Sequence, residues 1–188
     1  MYDWTKLPES LPVPQDDGGA RHLPGLRLPV LTLPATDGRD IDLSSLKGLS
    51  VVFCYPRTGS PHAPNLPGWD EIPGARGCTP QACGFRDFHA DLTQHGVSHV
   101  FGLSTQEIAT QREVADRLHL PFPLLSDHGL ALAHALTLPT FTVADLVLLK
   151  RLTLLITDQV ITHVFYPVFP PDRSAEQVLD YLKAHSSR

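Results

Sequence analysis

Gly77-Cys78-Thr79-Pro80-Gln81-Ala82-Cys83 is the stretch around which this 188-residue chain is organised. Thr79 is a good helix cap, and Pro80 suits the first helical position after it. Beyond it, Ala82, Phe85, Phe88 and Leu92 recur at helical spacing, which predicts a helix over 79–93 with one buried face. Cys78 then falls in or just before the first turn. Unpaired backbone N–H groups and the positive end of the helix dipole favour a thiolate there, and the thiolate is the nucleophilic form.

Cys83 adds a geometric argument. In a regular helix, residues five apart have Cα atoms roughly 8–9 Å apart, whereas a disulfide needs about 4.4–6.8 Å. Bonding between Cys78 and Cys83 therefore requires the first turns to unwind. The spacing predicts a switch between a folded dithiol and a locally unfolded disulfide. Two ordinary buried cysteines are the plainer alternative, because free cysteine is often a packed small hydrophobe.

Composition narrows the function classes. The chain is 42% hydrophobic and 19% charged, with a formal net charge of −5, the profile of one globular domain. The lack of a Lys/Arg cluster argues against a nucleic-acid partner. Residues 1–6 show no basic start followed by an apolar run, so no signal peptide is expected. The apolar stretch 146–156 is too short to span a bilayer and carries Lys150 and Arg151. Three cysteines without a signal point to a reducing, cytoplasmic setting, where a close pair is more often catalytic than structural.

Along the chain, residues 1–25 are rich in Pro, Asp and Gly and read as an irregular arm on the surface, preceding one domain over 26–188. Residues 28–33 suggest a short strand, and Asp37-Gly38-Arg39 a turn. Val51-Val52-Phe53-Cys54-Tyr55 is a continuous apolar run ending at Pro56, the mark of a central strand buried on both faces. Cys54, inside it, reads as a packed thiol. Residues 57–77 show almost no periodicity, and a structureless loop of that length is often functional; Trp69 within it reads as packing. A second buried strand is expected over 97–103. Ser104-Thr105-Gln106-Glu107 reads as a capping box before a helix carrying Ile108, Ala115 and Leu118. A short strand at 122–125 follows, then a helix capped by Asp127. A hairpin is expected around Thr157-Asp158-Gln159, and a last helix opened by Ser174-Ala175-Glu176-Gln177. Alternating strands and helices, then a hairpin, predict an α/β fold: a mixed central sheet with helices on both faces. His89, His95 and His99 have spacings that do not suggest a metal site.

Residues 26–185 resemble the peroxiredoxins of the Q subfamily, the bacterioferritin-comigratory-protein group. The resemblance rests on Val51-Val52-Phe53-Cys54-Tyr55-Pro56 and on the 77–83 run followed by Gly84-Phe85-Arg86-Asp87. Gly102-Leu103-Ser104, Phe122-Pro123-Leu124-Leu125-Ser126-Asp127 and Arg151-Leu152-Thr153 fall in the right order. It implies a thioredoxin-like fold and reduction of hydrogen peroxide and organic hydroperoxides, with no cofactor. Cys78 would be the peroxidatic cysteine, Cys83 the resolving cysteine, and Arg151 the arginine against the thiolate. The implied partners are a small peroxide and thioredoxin or a similar dithiol reductant, for a chain that is a monomer or weak dimer. The family also places a hydroxyl three residues before the peroxidatic cysteine, where this chain has Ala75. The pattern reappears if 62–76 is an insertion, with Ser60 supplying the hydroxyl and Thr58 as the alternative. A redox-responsive binding protein using the same cysteine switch is the rival reading. The absence of Cys-x-x-Cys argues against a thioredoxin-type oxidoreductase.

Overall fold

Alternation along the run at Val51 sets the two-sided core. Val52 and Cys54 point into one apolar cluster, and Val51, Phe53 and Tyr55 into another, as period-2 side-chain geometry requires. The computed structural model describes residues 7–8, 10–60 and 63–185. Residues 1–6, which bear on the targeting signal, and His62, first in the expected insertion, lie outside the described residues.

In chain order the elements are β1 (Leu33–Pro34), β2 (Asp40–Ile41), β3 (Leu49–Cys54), α1 (Cys78–Asp87), α2 (His89–Gln94), β4 (Val97–Ser104), α3 (Ile108–Arg117) and β5 (Leu124–Ser126). They continue with α4 (Ala131–Leu136), β6 (Thr140–Val143), β7 (Leu146–Leu149), β8 (Leu152–Thr157), β9 (Val160–Phe165) and α5 (Ser174–His185). The main sheet runs β5-β4-β3-β8-β9, with β3, β4 and β5 parallel and β8 and β9 antiparallel additions. Helices α1, α2, α3 and α5 cover one face, through Phe85, Leu92, Val114 and Val178. Helix α4 and the N-terminal segment cover the other, through Leu132, Leu136, Ala20 and Leu23. The mixed sheet flanked by helices on both faces is the expected architecture.

Several local expectations change. The helix expected over 79–93 is two helices, interrupted at Phe88. Thr79 is not the cap; it lies inside α1, and Gly77 is the capping residue, at φ 100°. That conformation suits glycine, and a Cβ there would collide with Pro171. The Ser104 box is a turn set one step early. Ser104 ends β4, its Oγ accepts from the Gln106 N–H at 3.2 Å, and Glu107 occupies the cap position of α3. Ser174 likewise sits in α5 and turns its hydroxyl to Gln81 and Thr153. The capping residue of α4 is Leu130 rather than Asp127, but the Asp127 carboxylate oxygens accept from the first-turn N–H groups of Leu132 and Ala133 at 3.0 and 2.8 Å.

The strand expected over 28–33 shrinks to β1, paired with β2 across the Asp37-Gly38-Arg39 turn. Residues 11–25 form no helix or strand, yet Ala20 and Leu23 are buried, so the arm is stitched into the core rather than laid over it. The run at 146–156 divides into β7 and β8, and β7 forms a small antiparallel sheet with β6. On that sheet sits a third apolar cluster in which Trp69 and Ala75 pack on Leu148, with Phe141 alongside. Trp69 packs, as read, and ties the aperiodic loop to the hairpin.

Candidate active site

Cys78 is the first residue of α1, and only 5% of it is exposed. The Gly77 carbonyl accepts the first helical hydrogen bond, from Gln81, at 3.0 Å. The N–H groups of the first turn are therefore not used up within the helix. The Cys78 Sγ lies 3.7 Å from the Ala75 carbonyl, which accepts from the thiol, and receives the Arg151 Nη2 at 3.2 Å. Arg151, just before β8, is 3% exposed.

The surroundings of Arg151 decide the electrostatics. Its Nη2 also faces the carbonyls of Gly74, Ala75 and Arg76 at 3.2, 3.2 and 3.0 Å, and its Nη1 donates to Gln81 Oε1. Gln81 is fully buried, three residues after Cys78 and so on the same helical side. Its amide Nε2 donates to Ser174 Oγ at 3.2 Å. Arg151 Nε has no partner among the described residues. Among the described residues, the groups that accept a hydrogen bond from this buried cation are neutral carbonyls or amides except the Cys78 sulfur. A buried charge is costly unless an opposite charge or full hydrogen bonding compensates it. Among these described hydrogen-bond partners, Cys78 is the one that can carry a charge opposite to that of Arg151.

Cys78 opens on a cleft of about 30 Å³ that is also lined by Arg57, Trp69, Arg76, Thr79 and Pro80. Arg76 is nine-tenths buried and pairs with Asp70 at 2.9 Å. Sequence reasoning missed Arg76 and Gln81. Arg76 lies in an aperiodic loop and Gln81 reads as an ordinary helix residue, though its three-residue offset from Cys78 is a usable signal.

Cys83 sits further along α1 and is half-buried. Burial pushes its thiol up, and the nearby Arg86 partly opposes that. Arg86 also pairs with Asp87 at 2.8 Å and donates to the Leu118 carbonyl at 2.9 Å. All three cysteines are free thiols. Cys54 is fully buried, and desolvation pushes its thiol strongly up.

The two hydroxyl candidates separate. Ser60 is exposed, and neither it nor Thr58 lines the cleft on Cys78. Thr58 is 3% exposed, its backbone is clamped by the Gln106 amide at 2.8 and 3.1 Å, and its side chain hydrogen-bonds Tyr55. Burial raises the Tyr55 phenol, and the Cys78 charge raises it further; Tyr55 and Cys78 belong to one apolar cluster. The Tyr55 hydroxyl donates to Gln111 Oε1 at 3.0 Å. No group of three or more potential metal ligands occurs among the described residues. His95 Nδ1 instead bonds the Asp91 carbonyl. No helix among the described residues is long and apolar enough to cross a membrane.

Residues 23–179 match the family model described as Redoxin. The chain belongs to the Redoxin family. The "Putative peroxiredoxin bcp" of Coxiella burnetii is 35% identical over 104 residues, covering 55% of this chain and 58% of the relative. The chloroplastic peroxiredoxin Q of Populus jackii is 31% identical over 160 residues, covering 83% and 66%. The match thus spans less than two thirds of either relative's length. Among solved structures, peroxidoxin BcpB of Mycobacterium tuberculosis superimposes with a TM-score of 0.70 at 27% identity, covering 87% of this Redoxin chain and 99% of that one. The fold is the thioredoxin-like fold of the Q-type peroxiredoxins, as the resemblance implies.

Proposed function

We propose that this chain is a thiol-dependent peroxidase in which Cys78 attacks the peroxide and Cys83 resolves the product. The observation that carries the reading is the buried Arg151 guanidinium, 3.2 Å from Cys78 Sγ and faced otherwise by neutral groups. The peroxiredoxin names of the relatives support it. The Cys78 thiolate displaces one peroxide oxygen from the other; the sulfur becomes a sulfenic acid and the leaving oxygen departs as hydroxide or alkoxide, then takes a solvent proton. Helix α1 unwinds, the Cys83 thiol attacks the sulfenic acid, water leaves and a disulfide forms. A thioredoxin-type dithiol reduces that disulfide through a mixed disulfide and restores both thiols. Neither Thr58 nor Ser60 lines the cleft on Cys78, and the reading assigns no step to either hydroxyl.

Purified protein supplied with hydrogen peroxide, thioredoxin, its reductase and NADPH tests the reading. Sustained NADPH oxidation in wild type, lost in Cys78→Ser, supports it; no turnover, or full turnover in that variant, overturns it. Mass spectrometry after peroxide treatment is expected to find Cys78 linked to Cys83. The shielding of Cys78 is the observation that favours the second reading, a redox-responsive binding protein. Rapid oxidation of Cys78 without recycling by any dithiol donor would select that reading instead.

A further inference from the structure

We propose that a second cavity lined by Arg151, separate from the Cys78 cleft, binds a small organic acid. The ligand is one carboxylate on an apolar body, and it serves as counter-ion to Arg151 when the Cys78 sulfur is uncharged. This is a site beyond the peroxidase reading and stands whether or not the chain reduces peroxide. The cavity holds about 350 Å³, within the range of small-molecule sites, and shares no lining residue with the cleft onto which Cys78 opens. Segments distant in sequence build it: the N-terminal arm through Pro14 and Asp17, the aperiodic loop through Ile72, and the hairpin and sheet through Phe141, Lys150 and Arg151. Ile72 and Phe141 also pack on the cluster of Trp69 and Leu148, so the apolar wall is braced from behind.

The polar groups select the ligand. Lys150 Nζ pairs with Asp17 at 2.6 Å, and the Tyr166 hydroxyl donates to the same carboxylate at 2.7 Å. Those hydrogen bonds hold the Asp17 carboxyl well below the usual carboxylate range. Burial and the hydrogen bond to Asp17 push the Tyr166 phenol up, so it stays neutral. Lys150 and Asp17 balance each other, which leaves Arg151 to decide the charge of the cavity. An ammonium has three donors, and among the described residues Lys150 spends one, on Asp17. The Arg151 guanidinium has the Cys78 sulfur as its ionisable hydrogen-bond partner at 3.2 Å, and its Nε has no partner among the described residues. With Cys78 protonated, one positive charge is left uncompensated beside an apolar wall, and such a charge is costly. A monocarboxylate answers both features. Its body lies on Phe141 and Ile72, and its carboxylate takes the remaining Lys150 donors within the field of Arg151. Acid and thiolate then compete for one guanidinium, and by linkage each weakens the other by the same factor.

3-Phenylpropionate is the probe, and calorimetry on the full chain reads its binding. One molecule per chain is expected, with a dissociation constant at or below about 1 mM, the range open to so small a ligand. 3-Phenylpropan-1-ol and 3-phenylpropylamine, the same body without the anion, should bind about tenfold more weakly or worse, the effect of one charged contact. Lys150→Met should weaken the acid about tenfold, and Asp17→Asn should tighten it severalfold by releasing the ammonium. Cys78→Ser should tighten it about five- to tenfold, because the competing sulfur charge is gone. In wild type at neutral pH, saturating acid should slow iodoacetamide alkylation of Cys78 by that same factor and leave Cys83 within about twofold, as peptide mass spectrometry reads. Lack of binding at about 10 mM acid, an alcohol or amine that binds as well as the acid, or full affinity in Lys150→Met would overturn the proposal. So would weaker binding in Asp17→Asn, equal affinity in wild type and Cys78→Ser, or alkylation of Cys78 indifferent to the acid. Should Lys150→Met fail to fold, the comparison of acid, alcohol and amine on wild type decides. A chain that binds the acid but ignores peroxide defeats the peroxidase reading alone; an active peroxidase that does not bind it defeats this site alone.

Discussion

Cys54 and Cys78 are both buried, at 0% and 5% exposure, yet their settings are opposite. Around Cys54 are Leu103, Leu152, Leu125 and other apolar side chains, and the nearest charge felt by its thiol is the carboxylate of Asp127. Desolvation and a negative neighbour both hold that thiol protonated. Around Cys78 are a guanidinium at 3.2 Å, a second arginine in the cleft and the start of a helix. Depth alone therefore says nothing about sulfur reactivity; the sign of the neighbouring charge and a path to solvent do.

The sharpest way to break this contrast is to exchange the roles by mutation. Cys78→Ser is expected to lower peroxide consumption at least about a thousandfold, since a serine hydroxyl without a base is a poor nucleophile. Cys54→Ala should leave turnover within about twofold and cost about 1 kcal/mol of stability, the scale of a small core deletion. Coupled NADPH assays and urea melts read the two. Loss of activity in Cys54→Ala at unchanged stability would collapse the distinction. Next in size, Arg151→Met should slow both peroxide oxidation and neutral alkylation of Cys78 at neutral pH about tenfold or more, by removing a charge-assisted contact. It should also lower the melting temperature, because the carbonyls of residues 74–76 lose their donor. Cys83→Ser sharpens the comparison within α1 itself: the first oxidation should proceed at a rate within about twofold of wild type, while cycling stops and Cys78 advances to sulfinic acid. Stopped-flow traces and intact mass follow both.

The smallest effect comes from the far edge of the sheet. His163 stacks on Tyr181 at 4.1 Å, and Tyr181 on His185 at 4.0 Å. Burial, then the charge of His185, lowers the His163 imidazole. The unfolded chain thus takes up its proton first as pH falls through the ordinary histidine range. The contribution of His163 to stability is present above that range and lost below it. Solvent screening keeps this small. The melting temperature should drop by no more than about 2–4 °C, the equivalent of about 1 kcal/mol in a chain of this size. His163→Phe should flatten that part of the pH profile.

What was legible in the residues was whatever depended on near neighbours. Val51 to Cys54 read as a buried central strand because an apolar β-branched run has few other uses. Asp158-Gln159 marked the β8–β9 turn, where both residues adopt positive φ. Arg151 and the two α1 cysteines could be placed through resemblance. What failed depended on contacts distant in sequence. Gly77, rather than Thr79, caps α1 because Pro171 crowds that point from 94 positions away. The division between β7 and β8 was hidden because both halves are apolar and the arginine between them points inward. Arg76 could not be singled out from an aperiodic loop whose anchor, Trp69, packs on a hairpin made by residues 140–149.

On the proposed peroxidase reading, the interruption at Phe88 sets how much of the protein would rearrange in each cycle. Ten residues, Cys78–Asp87, form one helical unit; Leu92, in the next, is fully buried in its own right. Joining Cys78 to Cys83 then calls for melting only the leading turns of a short rod, while the piece beyond the break keeps its grip on the sheet. Local opening of that kind draws on a small fraction of the global unfolding free energy. The oxidised form should accordingly remain a folded protein with one frayed corner, which is the shape a reductant needs to find.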